Sequence, residues 1–293
     1  GFCVLAARKS QIYPIESLMN SSRTATIWQR ACACLLLLAV SLSALTVPGE
    51  VQAQAPAALP TVSYDAPSNT IFIGEAYTDP QLAAYPSQPG APKSAITIPQ
   101  LAAALPNPAL LQSQGSGAWL LNANVLVRAN AQLDITGAAV SWLRLASTST
   151  YVTLESDGGF LNIQNTKVTS WQPSTNTVDT TYADGRAYIL ALNGGRLDIG
   201  NAELAYLGFT NGEPSGISWR VRATESRPET GATGSIVSSN IHHNYFGMYS
   251  YAAYKLHITN SQFHDNIGYG IDPHTGTVAS EVAFNQVYNN GTH

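Results

Sequence analysis

The chain has 293 residues, of which 45% are hydrophobic and only 11% charged, enough apolar length to bury a sizeable core. So few charges, together with 23 glycines and 14 tyrosines, argue against a disordered chain and against a nucleic-acid binder. A formal net charge of −4 gives no general attraction for a polyanion, so an acidic ligand must meet a local cluster of Arg or Lys.

The sequence opens at Gly1, and Met19 followed by Asn20-Ser21-Ser22-Arg23 reads as the natural start, with residues 1 to 18 upstream of it. Arg23 and Arg30 precede an apolar run from Ala31 to Val47, and Val51-Gln52-Ala53 and Ala53-Gln54-Ala55 are small-residue cleavage sites. This is the pattern of a secretory signal peptide, and the run is short for a stable membrane span. Cys3, Cys32 and Cys34 all precede the cleavage point. The mature chain is therefore expected to have no disulfide and no cysteine metal site.

From Gln54 to about Gln114 the chain is rich in Ala and Pro, including Pro67, Pro80, Pro86, Pro89, Pro92, Pro99, Pro106 and Pro108. Such density opposes long helices and central strands. Ile96-Thr97-Ile98 followed by Pro99-Gln100-Leu101-Ala102-Ala103-Ala104-Leu105 predicts a strand and a short capping helix. The expected division is a signal segment over 1–53, an irregular linker and amino-terminal cap over 54–114, and the main domain over 115–293.

That domain is repetitive. Leu133-Asp134-Ile135, Leu161-Asn162-Ile163, Leu197-Asp198-Ile199 and Leu256-His257-Ile258 are the same apolar-polar-apolar strand. Near the end the repeats recur every ~22–24 residues, a spacing that marks stacked units. There Ile236, Ile258 and Val282 coincide, as do Ile241, Phe263 and Val287, then Asn240, Gln262 and Gln286, and lastly Asn244, Asn266 and Asn290. Short β segments at a fixed period cannot bury their faces alone and form a core by stacking. The fold expected is all-β, a right-handed parallel β-helix. The recurring Asn suits its corners, since Asn tolerates the left-handed conformation and its amides can bond from coil to coil.

Along this solenoid Ser218, Arg220 and Arg222 alternate with Ile217, Trp219 and Val221, which sets two arginines on one face. Further on, Tyr269-Gly270-Ile271-Asp272-Pro273-His274 places Asp272 and His274 on one side of an extended segment, with Ile271 and Pro273 on the other. Pro273 restricts both its own backbone and that of Asp272. A carboxylate beside an imidazole can orient and tune a catalytic base. Aligning Gly247 with Gly270 puts Tyr249 behind Asp272 and Tyr251 behind His274. The four side chains should form one outward patch of the kind that takes a sugar. His242, His243, His257 and His264 read as surface or ladder residues.

The run Asn266-Ile267-Gly268-Tyr269-Gly270-Ile271-Asp272-Pro273-His274, preceded by repeats ending in Asn, resembles the active-site coil of the mannuronan C5-epimerases. It is most similar to their periplasmic, calcium-independent kind, which acts on poly-β-D-mannuronate (alginate). The likeness runs from Gly159 to His293 and is strongest from Gly234 to His274. It departs from the family at Thr275, where an acidic residue is usual.

The resemblance implies an isomerase that converts β-D-mannuronate to α-L-guluronate in the polymer, without cofactor or metal. His274 would be the base, Asp272 its partner, and Tyr269 a residue of proton transfer or substrate contact. From their own placement rather than the resemblance, Tyr249 and Tyr251 would contact sugar, and Arg220 and Arg222 would either bind uronate carboxylates or form a solvated edge. It further implies a periplasmic or secreted protein and a partner in a polysaccharide-export complex. In relatives a charge-offsetting arginine comes from the coil after the base, and the sequence ends at His293 before it. A fragment of little epimerase activity is the expectation. Two other readings share these residues: a β-eliminating lyase on an acidic polysaccharide, and a non-catalytic carbohydrate-binding β-helix.

Overall fold

The computed structural model describes residues 58–75, 92, 94–148, 150–222 and 231–293. The expected signal segment and the three cysteines lie outside them. The described chain winds into a parallel β-helix with three sheets, of eight, seven and nine strands. In each coil the chain passes from the first sheet to the second and then the third. One coil, for example, comprises Phe246–Ser250, Leu256–Thr259 and Gln262–His264, and the next Ile271–Pro273, Glu281–Ala283 and Gln286–Tyr288.

The repeated tripeptides stack in register on the second sheet. Leu133 pairs with Leu161, Leu161 with Leu197, and Ile236 with Ile258 and then Val282 on the next coil. On the third sheet Leu143, Val168, Leu204, Ile241, Phe263 and Val287 form a second inward column. Its members from Leu143 to Phe263 are fully buried, and each such side chain stabilises the fold by about 1.5–3 kcal/mol. The leucine column is interrupted at Gly234. A Cβ there would sit 2.7 Å from the indole nitrogen of Trp219, whose ring fills the space a leucine occupies elsewhere.

The corners refine the expectation for Asn. The left-handed positions between the third and first sheets are His243, Asp265 and Asn289, with φ of 55°, 53° and 54°. The aligned residues Asn244, Asn266 and Asn290 come one later and turn their amides inward. Asn244 Oδ1 accepts from Leu207 N–H at 2.8 Å, Asn266 Oδ1 from Asn244 N–H at 2.9 Å, and Asn290 Oδ1 from Asn266 N–H at 3.1 Å. One residue takes the strained turn and its neighbour carries the ladder. At the other corner Asn165, Asn201 and Asn260 do hold the left-handed seat. Ladder hydroxyls follow them there: Ser239 Oγ accepts from Ala202 N–H and Ser261 Oγ from Ser239 N–H.

The solenoid reaches upstream of residue 115. Thr70–Ile73 pairs in parallel with 124–127, and Ser94–Thr97 pairs with 131–134. The prolines described here avoid the ladders: Pro67 lies in a hairpin turn and Pro99 in the first turn of the helix Ile98–Ala104, where its missing N–H costs nothing. That helix follows the strand as expected. Gln100 Oε1 accepts from Thr97 N–H at 2.9 Å, and Ile98 and Leu101 are buried.

Candidate active site on the first sheet

The first sheet turns its outer face away from the core at alternate residues. Ser218 pairs with Tyr249, and Tyr249 with Asp272, so these three side chains form an outward row. Ile271 packs against the core instead. The next row is continued by backbone bonds, Tyr251 N–H to Trp219 O at 2.9 Å and His274 N–H to Ser250 O at 2.8 Å. The His274 ring centroid lies 5.7 Å from that of Tyr249 and 6.4 Å from that of Tyr251. Asp272, His274, Tyr249 and Tyr251 thus share one patch, as their spacing predicts.

Burial raises the Asp272 carboxyl above its ordinary pKa, and His274 opposes that shift. Among the described residues no hydrogen bond joins the two side chains, so they meet as neighbours in a common field. Burial also raises the Tyr249 hydroxyl, against the pull of Arg220. Tyr269, whose direction alternation through Gly270 leaves ambiguous, points to the same face but further along it. Its ring meets Phe246 edge-on at 5.1 Å, and Phe246 is 6.2 Å from Tyr249. Gly268 makes this possible, because a Cβ there would come within 2.3 Å of the Phe246 ring.

Phe246 itself was not foreseen. The pairing of Gly216 with Phe246 and of Ser218 with Tyr249 leaves one extra residue in the second strand, a bulge. Bulges re-aim side chains beside sites, and a spacing that slips by one hides the residue from a repeat alignment.

The two arginines part company. Arg222 is held by Glu213 in a two-pronged ion pair, Nε to Oε1 at 2.8 Å and Nη2 to Oε2 at 2.7 Å. The Arg220 guanidinium carbon lies 5.0 Å from the Tyr249 ring centroid, and its Nη1 is buried with no hydrogen-bond partner among the described residues. Glu213 belongs to a strap, residues 208–215, laid over the outer face of the sheet. Phe209 of the strap packs on Tyr188, Leu190 and Leu192, and Ser218 Oγ donates to Glu213 O at 3.4 Å. The patch is therefore walled on the side of the earlier coils and has a cation at the wall.

Of the histidines set aside above, His242 and His264 form a ladder, while His243 stacks on Tyr206 and His257 pairs with Glu281 on the second sheet. His242 and His264 stack at 5.0 Å and His264 and Tyr288 at 4.9 Å, nearly parallel. Another concavity follows the corner between the second and third sheets, lined by Asn165, Lys167, Asn201, Glu203 and Asn240. Lys167 and Glu203 satisfy each other there at 2.8 Å, and Glu203 also meets His242 Nε2 at 3.3 Å, so its carboxylate is already engaged on both sides. Among the described residues no three His, Cys, Asp or Glu side chains converge as metal ligands, and no helix is long and apolar enough to cross a membrane.

Fold and site together define a parallel β-helix that carries an acid, an imidazole and aromatic rings on an open outer face. No family model matches the chain. Among curated proteins it is 31% identical to a mannuronan C5-epimerase of Pseudomonas fluorescens over 137 residues, 44% of this chain and 26% of the relative. It is 30% identical to that of Pseudomonas putida over 179 residues, 59% of this chain and 34% of the relative. A crystal structure of the periplasmic alginate epimerase AlgG shares the fold, with a TM-score of 0.62 and 22% identity, over 76% of this chain and 48% of that one. These likenesses support the mannuronan C5-epimerase family for this chain, which spans about a quarter to a third of the length of the curated relatives it matches.

Proposed function

We propose that the chain carries the catalytic coil of a C5-epimerase acting on polymeric β-D-mannuronate in the periplasm. The observation that carries this reading is the pair Asp272 and His274, outward on one patch with Tyr249 and Tyr251, in a chain akin to enzymes of that name.

The proton at C5 of a uronate is weakly acidic because the adjacent carboxylate already bears charge. Its removal needs a base, a cation that offsets the carboxylate, and a proton donor on the opposite face of the ring. In this reading neutral His274 takes the C5 proton, and the C5–H bonding pair passes into an enediolate. Stabilising that charge is the largest demand. Arg220 is the cation of the described patch, since Arg222 is engaged with Glu213. Reprotonation at C5 from the other face gives guluronate with no net redox change. Tyr269 supplies a hydroxyl for proton transfer or substrate contact. Tyr249 and Tyr251 offer ring faces to the pyranose and hydroxyls to its rim. Asp272 sets the field around the imidazole. The same reading extends to a partner in polysaccharide export, tested by co-purification from the periplasm.

Proton NMR of polymannuronate treated with the protein tests the proposal. New guluronate signals, weak in keeping with the little activity expected above, that vanish in His274→Gln are expected. Unsaturated chain ends would assign a lyase instead, and an unchanged spectrum would leave a binding protein.

A further inference from the structure

The rings beside His274 do not stop at the patch. Tyr249 leads to Phe246 at 6.2 Å, and Phe246 stacks on Tyr245 at 5.2 Å with 25° between planes. Tyr245 meets Tyr182 at 5.9 Å. The path follows the strand direction across the coil to the corner with the third sheet. From Tyr245 to Tyr251 is six residues, about 20 Å at ~3.3 Å per residue, a length of several sugar units.

Tyr182 sits in the long connection between the strands Lys167–Gln172 and Tyr188–Leu192, and that connection is fixed on both sides of it. Before it, Asp179, 1% exposed, accepts from Ser147 Oγ at 2.6 Å and from Thr181 N–H at 3.1 Å. After it, Arg186, also 1% exposed, donates to Gly208 O at 2.9 Å, His243 O at 3.1 Å and Leu207 O at 3.4 Å. Between these buried anchors the Tyr182 ring is left 41% exposed. Two buried charged groups hold in place an aromatic side chain that is itself not buried, an arrangement that the core does not require.

We propose that Tyr182 and Tyr245 form a remote subsite for the polymer, holding a uronate several units from the one at His274. The bound chain then lies along the strands. The strap favours the same course, because Ser218, Leu190 and Leu192 beneath it are buried and leave no open track toward the earlier coils. The ligand chemistry is that of a β-linked uronate chain, whose apolar pyranose faces lie on the rings. The inference rests on the proposed function and extends it to substrate length.

The test compares Tyr182→Ala with the unaltered protein on mannuronate oligomers of graded length, reading kcat/KM by NMR and affinity by calorimetry. Losing a ring contact of ~0.5–1.5 kcal/mol should shrink the advantage of long over short oligomers by about 2- to 12-fold. Tyr182→Phe should restore most of it, and the melting temperature of Tyr182→Ala verifies folding. Equal losses at every length, or no loss at any, would overturn the subsite while leaving the function standing. An unaltered protein that neither binds nor converts any oligomer would remove both.

Discussion

Asn266 offers a direct test of what holds the coil of Asp272 and His274 against its neighbours. It is 2% exposed. Its Oδ1 accepts from Asn244 N–H at 2.9 Å, and its Nδ2 donates to Asn290 Oδ1 at 2.8 Å and to Ile241 O at 3.4 Å. Asn266→Ala removes all three bonds and orphans the N–H of Asn244, a fully buried residue. With two bonds at about 0.5–1.5 kcal/mol each and the third lost as an unsatisfied buried donor at about 1–3 kcal/mol, the expected loss is ~2–6 kcal/mol. Asn266→Asp keeps the acceptor but turns a second oxygen toward Asn290 Oδ1, so it should cost at least as much at neutral pH and recover as the carboxyl protonates. Urea unfolding followed by circular dichroism and by fluorescence measures both variants, and coincidence of the two probes tests whether the coils unfold together. A loss below about 0.5 kcal/mol for Asn266→Ala, or an Asp variant as stable as the parent at pH 7, would refute the ladder as a source of stability.

Other outcomes follow from the patch. Burial raises the Asp272 pKa above 3.8, so its ionised form disfavours the fold, and the penalty is present above the raised pKa and gone below the unfolded value. Asp272→Asn should therefore be more thermostable than the parent at neutral pH, with the difference closing as pH falls toward 3.8, while losing activity. Gly268→Ala drives a Cβ into the Phe246 ring and should cost about 1–3 kcal/mol, most of it recovered in a Gly268→Ala/Phe246→Leu double variant. Arg220→Gln should weaken polymannuronate binding about 10-fold or more, the measure of a charge-assisted bond. Arg222→Gln should lower stability by less than about 1 kcal/mol, because its partner pair with Glu213 is half exposed; calorimetry and thermal melts separate the two arginines.

What the sequence made legible, and what it did not, divides along one physical line. Stacked coils force equivalent residues into columns, so any feature repeated at the coil period can be read before the fold is known. The inward columns through Ile258 and Phe263, the Asn244–Asn266–Asn290 ladder and the placement of Tyr249 behind Asp272 are of this kind. Features that occur once in the solenoid leave no such trace. The strap of residues 208–215 takes Arg222 out of the patch through a single glutamate, and nothing periodic announces Glu213. The bulge before Tyr249 brings Phe246 to the outer face by breaking the period itself. In the Pro-rich segment the strands Val62–Asp65 and Thr70–Ile73 were hidden because proline density argues against them, although Pro67 and Pro99 fall only where a ladder N–H is not needed.

The same distinction bears on how this site works. A β-helix can place an acid and an imidazole on one face by repetition alone, since register fixes which residues share a row. Repetition cannot give a site one closed side and one open side, because every coil presents the same outline to solvent. The asymmetry here comes from the non-repeating parts: the strap with its clamped Arg222, the bulge under Phe246, and the anchored connection that presents Tyr182. A polymer substrate needs that asymmetry to settle in one direction and one register over His274. Replacing the strap residues 209–214 by a short Gly/Ser turn therefore tests the idea as a whole. The coil stack and Asp272 should keep their geometry, while products of oligomer turnover should lose their fixed position along the chain. If product position on defined oligomers stays unchanged, the wall does not orient the substrate.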